Sequence, residues 1–155
     1  MGIEKDINQH HFTSEGQKAI INLIYTSNWA TEHIRGALDD LDITLQQFNI
    51  LRILRGSDPK PLSTLTIRER MLDKMSDTSR IVDRLITKGL VEKNACLKDK
   101  RLVDITISKK GLVLVDKLDQ FNNQIDAVLK GVDEKEAQTI NQLLDKIRAT
   151  SETKI

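Results

Sequence analysis

The apolar period of this chain leaves helical spacing over one stretch only, and that interruption confines the fold. From Ser63 to Lys88 the hydrophobic residues recur at helical spacing, broken only at Leu72-Asp73-Lys74-Met75. From Leu90 onward they alternate, so that Leu90 to Cys96 and Leu102 to Ile107 read as two short strands. Ser63 is placed to cap a helix through about Met71, and Ser76 to cap a second one over 77–88. The inner face of the second carries Ile81, Val82, Leu85 and Ile86, and Gly89 ends it as a left-handed cap. Between the strands lies a polar, basic tip, Leu97-Lys98-Asp99-Lys100-Arg101. Two short helices on a tight turn, followed by a basic hairpin, describe a winged helix-turn-helix.

The flanks are helical. Residues 1–13 show no period and are expected to form an arm. Over 15–38, Ile20, Leu23, Ala30, Ile34, Ala37 and Leu41 keep one face, broadened by Ile21, Ile24 and Trp29. Thr44 with Gln47 makes a capping box for a helix lined by Leu45, Phe48, Leu51 and Leu54, with Gly56 just past its end. Ser108 opens a helix to about Lys130 in which Leu114, Leu118, Phe121, Ile125 and Val128 form a seam of coiled-coil spacing. Gly131 stops it. Asp133 and Glu136 cap a last helix with Ala137, Ile140, Leu143, Leu144 and Ile147 on one face. The fold class is therefore mainly α with a small β-hairpin wing. An N-terminal arm and dimerisation helix (1–43) and C-terminal dimerisation helices (112–155) flank the winged helix-turn-helix (44–111). A winged helix needs only part of this chain for its own core, so the outer stripes predict a homodimer.

A near-neutral total hides segregated charge. Residues 60–110 hold 13 Lys and Arg against seven Asp and Glu, while the rest hold 11 against 16, for a net of +1 overall. A basic middle between acidic flanks points to a polyanion as partner. No apolar run is long enough to span a membrane, no secretory leader is visible, and the one cysteine has no internal partner, so a cytoplasmic location is expected. The seven glycines are too scattered for a phosphate-binding loop. No nucleophile–base pair or zinc spacing occurs among the three histidines and Cys96. The weak His10-His11 patch beside Glu4 and Asp6 does not make a metal centre. Neither catalysis, nor a cofactor, nor a metal is expected.

The DNA-facing candidates follow from helix geometry. A recognition helix enters the major groove with its N-terminal part, which here presents Ser76, Asp77, Thr78, Ser79 and Arg80, with Arg84 one turn on and Lys88 four residues further. Arginine reads guanine in bidentate fashion, and Ser or Thr bonds bases or phosphates. At the hairpin tip, Arg101 fits a narrow minor groove, where the negative potential is enhanced. Lys98 and Lys100 would meet phosphates, and Asp99 would orient Arg101 or an arginine of the helix.

The segment 76–93, then Asp99-Lys100-Arg101, then Thr106–Gly111, resembles the MarR family of bacterial transcriptional regulators. That family shows an R-L-V-D-R-L-x-x-K-G-L-V-x-R recognition-helix pattern, a D-x-R wing and an L-T-x-x-G start to the next helix. The chain departs from it at Ile81, at Lys93, where arginine is usual, and at Ile107-Ser108, where Leu-Thr is usual. The resemblance implies a homodimeric repressor on a palindromic double-stranded operator, released by a small phenolic or lipophilic effector bound between the dimer base and the winged helix. By layout that cleft would include Trp29, His33, Phe48 and Arg52.

Two other readings follow from the same residues. One is a winged-helix dimer that mediates protein–protein contacts. The other is a redox-responsive repressor acting through Cys96, which lies near Lys93 and Lys98.

Overall fold

Helix starts in this protein are set by side-chain oxygens that take up the orphan N–H groups of the first turn. Ser14 accepts from the Gln17 amide at 3.1 Å and opens α2 (Glu15–Asp39), while the short α1 (Ile3–Asp6) has no side-chain cap. Thr44 and Gln47 close a reciprocal capping box at 3.2 and 3.1 Å ahead of α3 (Leu45–Arg55). Ser63 caps α4 (Thr64–Arg70) and Asp77 caps α5 (Thr78–Thr87). Ser108 accepts from the Gly111 amide at 3.0 Å in the first turn of α6 (Lys109–Asp119). Asp133 and Glu136 bond reciprocally at 2.9 Å at the start of α7 (Glu134–Ala149). The computed structural model describes residues 2–95, 103–119 and 129–149. It forms two contact units, Met1–Phe121 and Asn122–Ile155. No helix among the described residues is long and apolar enough to cross a membrane.

Between α5 and α6 the chain forms β1 (Val91–Ala95) and β2 (Val103–Ile107), antiparallel with Val91 opposite Ile107 and Ala95 opposite Val103. Leu62 adds an isolated bridge to Ile105, with both backbone bonds made at 3.0 and 2.9 Å. The order helix, turn, helix, two-stranded wing is the one the apolar period predicts.

One core serves the first unit. It unites Phe48, Leu51 and Leu54 of α3 with Ile67, Met71, Val82, Leu85, Leu90, Ile105 and Ile107. Val115 and Leu118 of α6 enter the same core, and Leu114 packs against it. The first two positions of the expected coiled-coil seam thus belong to the winged-helix interior. Phe121, Ile125 and Val128 lie outside the described residues.

Three local expectations are corrected. The arm at 1–13 contains a helical turn whose Ile3 is buried, and Glu4 is tied to α2 by an ion pair with Lys18. That contact holds the Glu4 carboxyl below its ordinary value and raises the Lys18 ammonium. Gly56, expected as the C′ residue beyond α3, is instead its C-cap in the right-handed region, φ −65°, and the chain continues through tight i→i+3 turns at Ser57 and Asp58. The cap of α5 is Asp77 rather than Ser76, because the Ser76 hydroxyl already donates to Asp73 at 2.7 Å.

The outer stripes stay uncovered within their own units. Ile20, Leu23, Ile24, Tyr25 and Trp29 on α2 are exposed, as are Ile140, Leu143 and Ile147 on α7.

Gly89 adopts φ 70° and closes α5 as a Schellman motif, with Leu90 N–H on Leu85 C=O and Gly89 N–H on Ile86 C=O. At Gly111, a Cβ would press on the Leu90 carbonyl and the Ile107 side chain. Gly111→Ala is therefore expected to lower stability by about 1–3 kcal/mol, read as a drop in the urea midpoint at unchanged m-value.

Candidate nucleic-acid interface

The candidate surface is built on α5, and its rotation is fixed by what α5 buries. Val82 and Leu85 are buried and Ile81 and Ile86 half-buried against α3, α4 and β1. At 3.6 residues per turn this directs Ser79, Arg80, Asp83, Arg84 and Thr87 outward, and all five are exposed. Arg80 and Arg84 share a face and have no ion-pair partner among the described residues. The Asp83 carboxylate pairs with Lys93 of β1 at 3.7 Å, so the acidic group amid the arginines is offset by a wing-strand cation.

The turn before α5 is locked by Asp73. Its carboxylate accepts from the Met75 amide at 3.0 Å and the Ser76 hydroxyl at 2.7 Å. Asn49 of α3 accepts from the Leu72 amide at 2.9 Å. The bonds from Ser76, Met75 and Gln46 hold the Asp73 carboxyl below its ordinary value. Thr44, Gln46, Gln47, Asp73, Arg80 and Arg84 line a groove of about 310 Å³ between α3 and α5.

The expected DNA-facing residues separate into groups. Ser79, Arg80 and Arg84 stand on the outer face. Asp77 is committed to the Arg80 amide at 3.2 Å and Ser76 to Asp73. Thr78, expected on the exposed face, is 3% exposed, and its hydroxyl has no partner among the described residues. It falls on the same inward side as Val82 and Leu85, one helical turn ahead of the first and two ahead of the second. The Lys88 ammonium, also expected to reach DNA, is engaged with Asp42. Lys98, Asp99, Lys100, Arg101 and Cys96 lie outside the described residues. Arg68 of α4 went unnoticed in the sequence reading. It is exposed and shares a cavity of about 380 Å³ with Thr64, Met75 and the first residues of α5. Its signal was a cation on the outer face of the helix preceding the recognition helix.

The expected effector residues occur as two local pairs. On α2 the Trp29 and His33 rings meet at 4.2 Å between centroids, tilted by 46°, and His33 Nδ1 donates to the Trp29 carbonyl at 2.8 Å. On α3 the Arg52 guanidinium lies 5.7 Å from the centroid of the Phe48 ring. Phe48 is 5% exposed, a core residue rather than a cleft wall. A cavity of about 400 Å³ lies elsewhere, bounded by Leu41, Ile43, Lys88, Leu90, Lys110 and Val113 among others, and includes none of the four.

Because the Asp73 carboxyl titrates below its unfolded value, its contribution to stability is full above the unfolded value and is lost as pH falls through the folded one. The stability advantage of wild type over Asp73→Asn is expected to be level from about pH 7 to about 5 and to narrow below about pH 4, measured by urea denaturation.

Residues 43–103 match the model of the MarR family. The HTH-type transcriptional repressor IacR of Pseudomonas putida is 23% identical over 124 residues, covering 79% of this chain and 73% of IacR. A structure of a mutant MarR from E. coli complexed with operator DNA superposes with a TM-score of 0.73 at 23% identity, over 81% of this chain and 89% of that one. The structure of Bordetella bronchiseptica BpsR, described for regulation of its DNA binding by 6-hydroxynicotinic acid, gives 0.72 at 22% identity, over 81% and 95%. At these identities the likeness to the solved structures is one of fold.

Proposed function

We infer that this chain, whose residues 43–103 match the MarR family model, is a MarR-type, sequence-specific DNA-binding transcriptional regulator. The observation that carries the reading is the outer face of α5, where Arg80 and Arg84 stand exposed, with no ion-pair partner among the described residues, in the outward position of a recognition helix. Ser79 and Arg80 are proposed to read base edges. Arg84, with Arg68 of α4, is proposed to fix the register on phosphates. Arg101 of the wing tip enters the flanking minor groove in this reading, with Lys98 and Lys100 on phosphates and Asp99 orienting Arg101. Asp77, Ser76 and Thr78 act by shaping the helix start.

The protein is proposed to act as a homodimeric repressor on a palindromic operator, with 44–111 as the DNA-binding module and 1–43 and 112–155 as the dimer base. Support comes from the uncovered apolar stripe of α2 and that of α7. Release by a small-molecule effector is proposed by analogy with BpsR. Such an effector would act by favouring a lobe spacing that does not match successive major grooves.

The test is fluorescence anisotropy against a duplex of the intergenic DNA upstream of the protein's own gene, with a scrambled duplex as control, across a salt series. Arg80→Ala is expected to cost about 1–3 kcal/mol on the upstream duplex and to relax the preference over the scrambled one. Arg84→Ala is expected to weaken both duplexes alike and to lower the salt slope by about 0.9. Wild-type binding by both variants would overturn the assignment of this face, and a flat salt dependence in wild type would overturn DNA binding itself.

A further inference from the structure

Lys88 is the C-terminal cap of α5, and its side chain folds back toward the turn between α2 and α3 rather than extending freely into solvent. Its ammonium donates to the backbone carbonyl of Asp42 and, at 3.0 Å, to Asp42 Oδ2. Asp42 sits in the turn between α2 and α3 with φ 51°, a left-handed conformation that aspartate tolerates better than most side chains. The backbone carbonyl of Lys88 in turn accepts from the Lys110 ammonium of α6 at 2.8 Å. One residue therefore ties the end of the recognition helix to the turn after the long N-terminal helix and to the first turn of α6. These three segments also frame the 400 Å³ cavity beside Leu41, Ile43 and Leu90.

With the Asp42 side chain 97% exposed, this ion pair contributes little to global stability. Its geometric effect is different in kind. α5 is anchored at its start by the Asp73 turn, and its far end is held from α2's side by this lysine. A small rotation about the start would swing Arg84 more than Arg80.

We propose that Lys88 is a positioning residue, which sets the angle of the recognition helix relative to the N-terminal helix through Asp42, and is not a phosphate contact. The inference rests on the reading of α5 as a DNA-recognition helix. The two roles for Lys88 differ in what salt does to them. A lost phosphate contact reduces the salt slope and weakens every duplex alike. A lost positioning contact keeps the slope and erodes the difference between duplexes.

The experiment compares wild type, Lys88→Met, Asp42→Asn and the double variant against the upstream and scrambled duplexes across salt. Asp42→Asn keeps the left-handed turn and removes only the charge. The expected result for Lys88→Met is a dissociation constant raised about tenfold on the upstream duplex, little change on the scrambled one, and an unaltered slope. Asp42→Asn should act in the same direction, and the double variant should be no worse than Lys88→Met alone. A slope reduced by about 0.9 in Lys88→Met, with tighter binding by Asp42→Asn, would overturn the proposal. Hydrogen exchange of the free protein decides the clamp even if wild type binds neither duplex, an outcome that would remove the DNA reading instead. In Lys88→Met the amides of Leu41–Ile43 and of Lys88–Leu90 should lose protection together. Unchanged protection in either segment would sink the clamp.

Discussion

Ser108 holds the joint on which α5 depends. Its hydroxyl donates to the Gly89 carbonyl at 2.8 Å and accepts from the Gly111 amide at 3.0 Å, and its own amide donates to the Leu90 carbonyl at 3.0 Å. A single small side chain thus fastens the left-handed exit of α5 to the entrance of α6. It is nearly buried, and both hydroxyl roles are filled, so it carries no desolvation penalty for an unmade bond. Gly111 lets α6 press against Leu90, and the core residues Leu90, Ile107 and Val115 close around the joint. The wing leaves from that fixed corner, with Val91 opposite Ile107 as its first pair.

What was legible in the sequence was local. The capping pairs Thr44–Gln47 and Asp133–Glu136, the caps Ser63 and Ser108, and the left-handed Gly89 need only a few neighbouring residues to specify them, and each is made as expected. The alternation of Val103, Ile105 and Ile107 was enough to find the wing. Features decided by distant partners were not legible. Two adjacent residues, Ser76 and Asp77, were both able to cap α5, and the choice fell to Asp73, which occupies the serine. Lys88 looked like one more cation on a basic helix, while its partner lies 46 positions away. The Leu62 bridge to Ile105 rests on a single pairing that leaves no periodic trace.

The site shows the same division. Residue type pointed to Arg80 and Arg84, and the burial of Val82 and Leu85 turns them outward. Thr78 had the right chemistry at the right place in sequence, yet helical rotation puts it on the inward side. Phe48 had the right chemistry for an effector cleft but is absorbed by the core. The wing tip stays a matter of composition, a run of Lys98 to Arg101 outside the described residues.

On the proposed role as a DNA-binding regulator, the uncovered stripe of α2 has a consequence for gene control. If that stripe closes only against a second copy, the species that binds an operator is made from two chains. Where single chains predominate, its amount grows with the square of their number. Halving expression would then quarter operator occupancy in the dilute regime, a sharper response than one chain binding alone could give. Such a protein would need no cooperativity between neighbouring operators to respond steeply to its own supply.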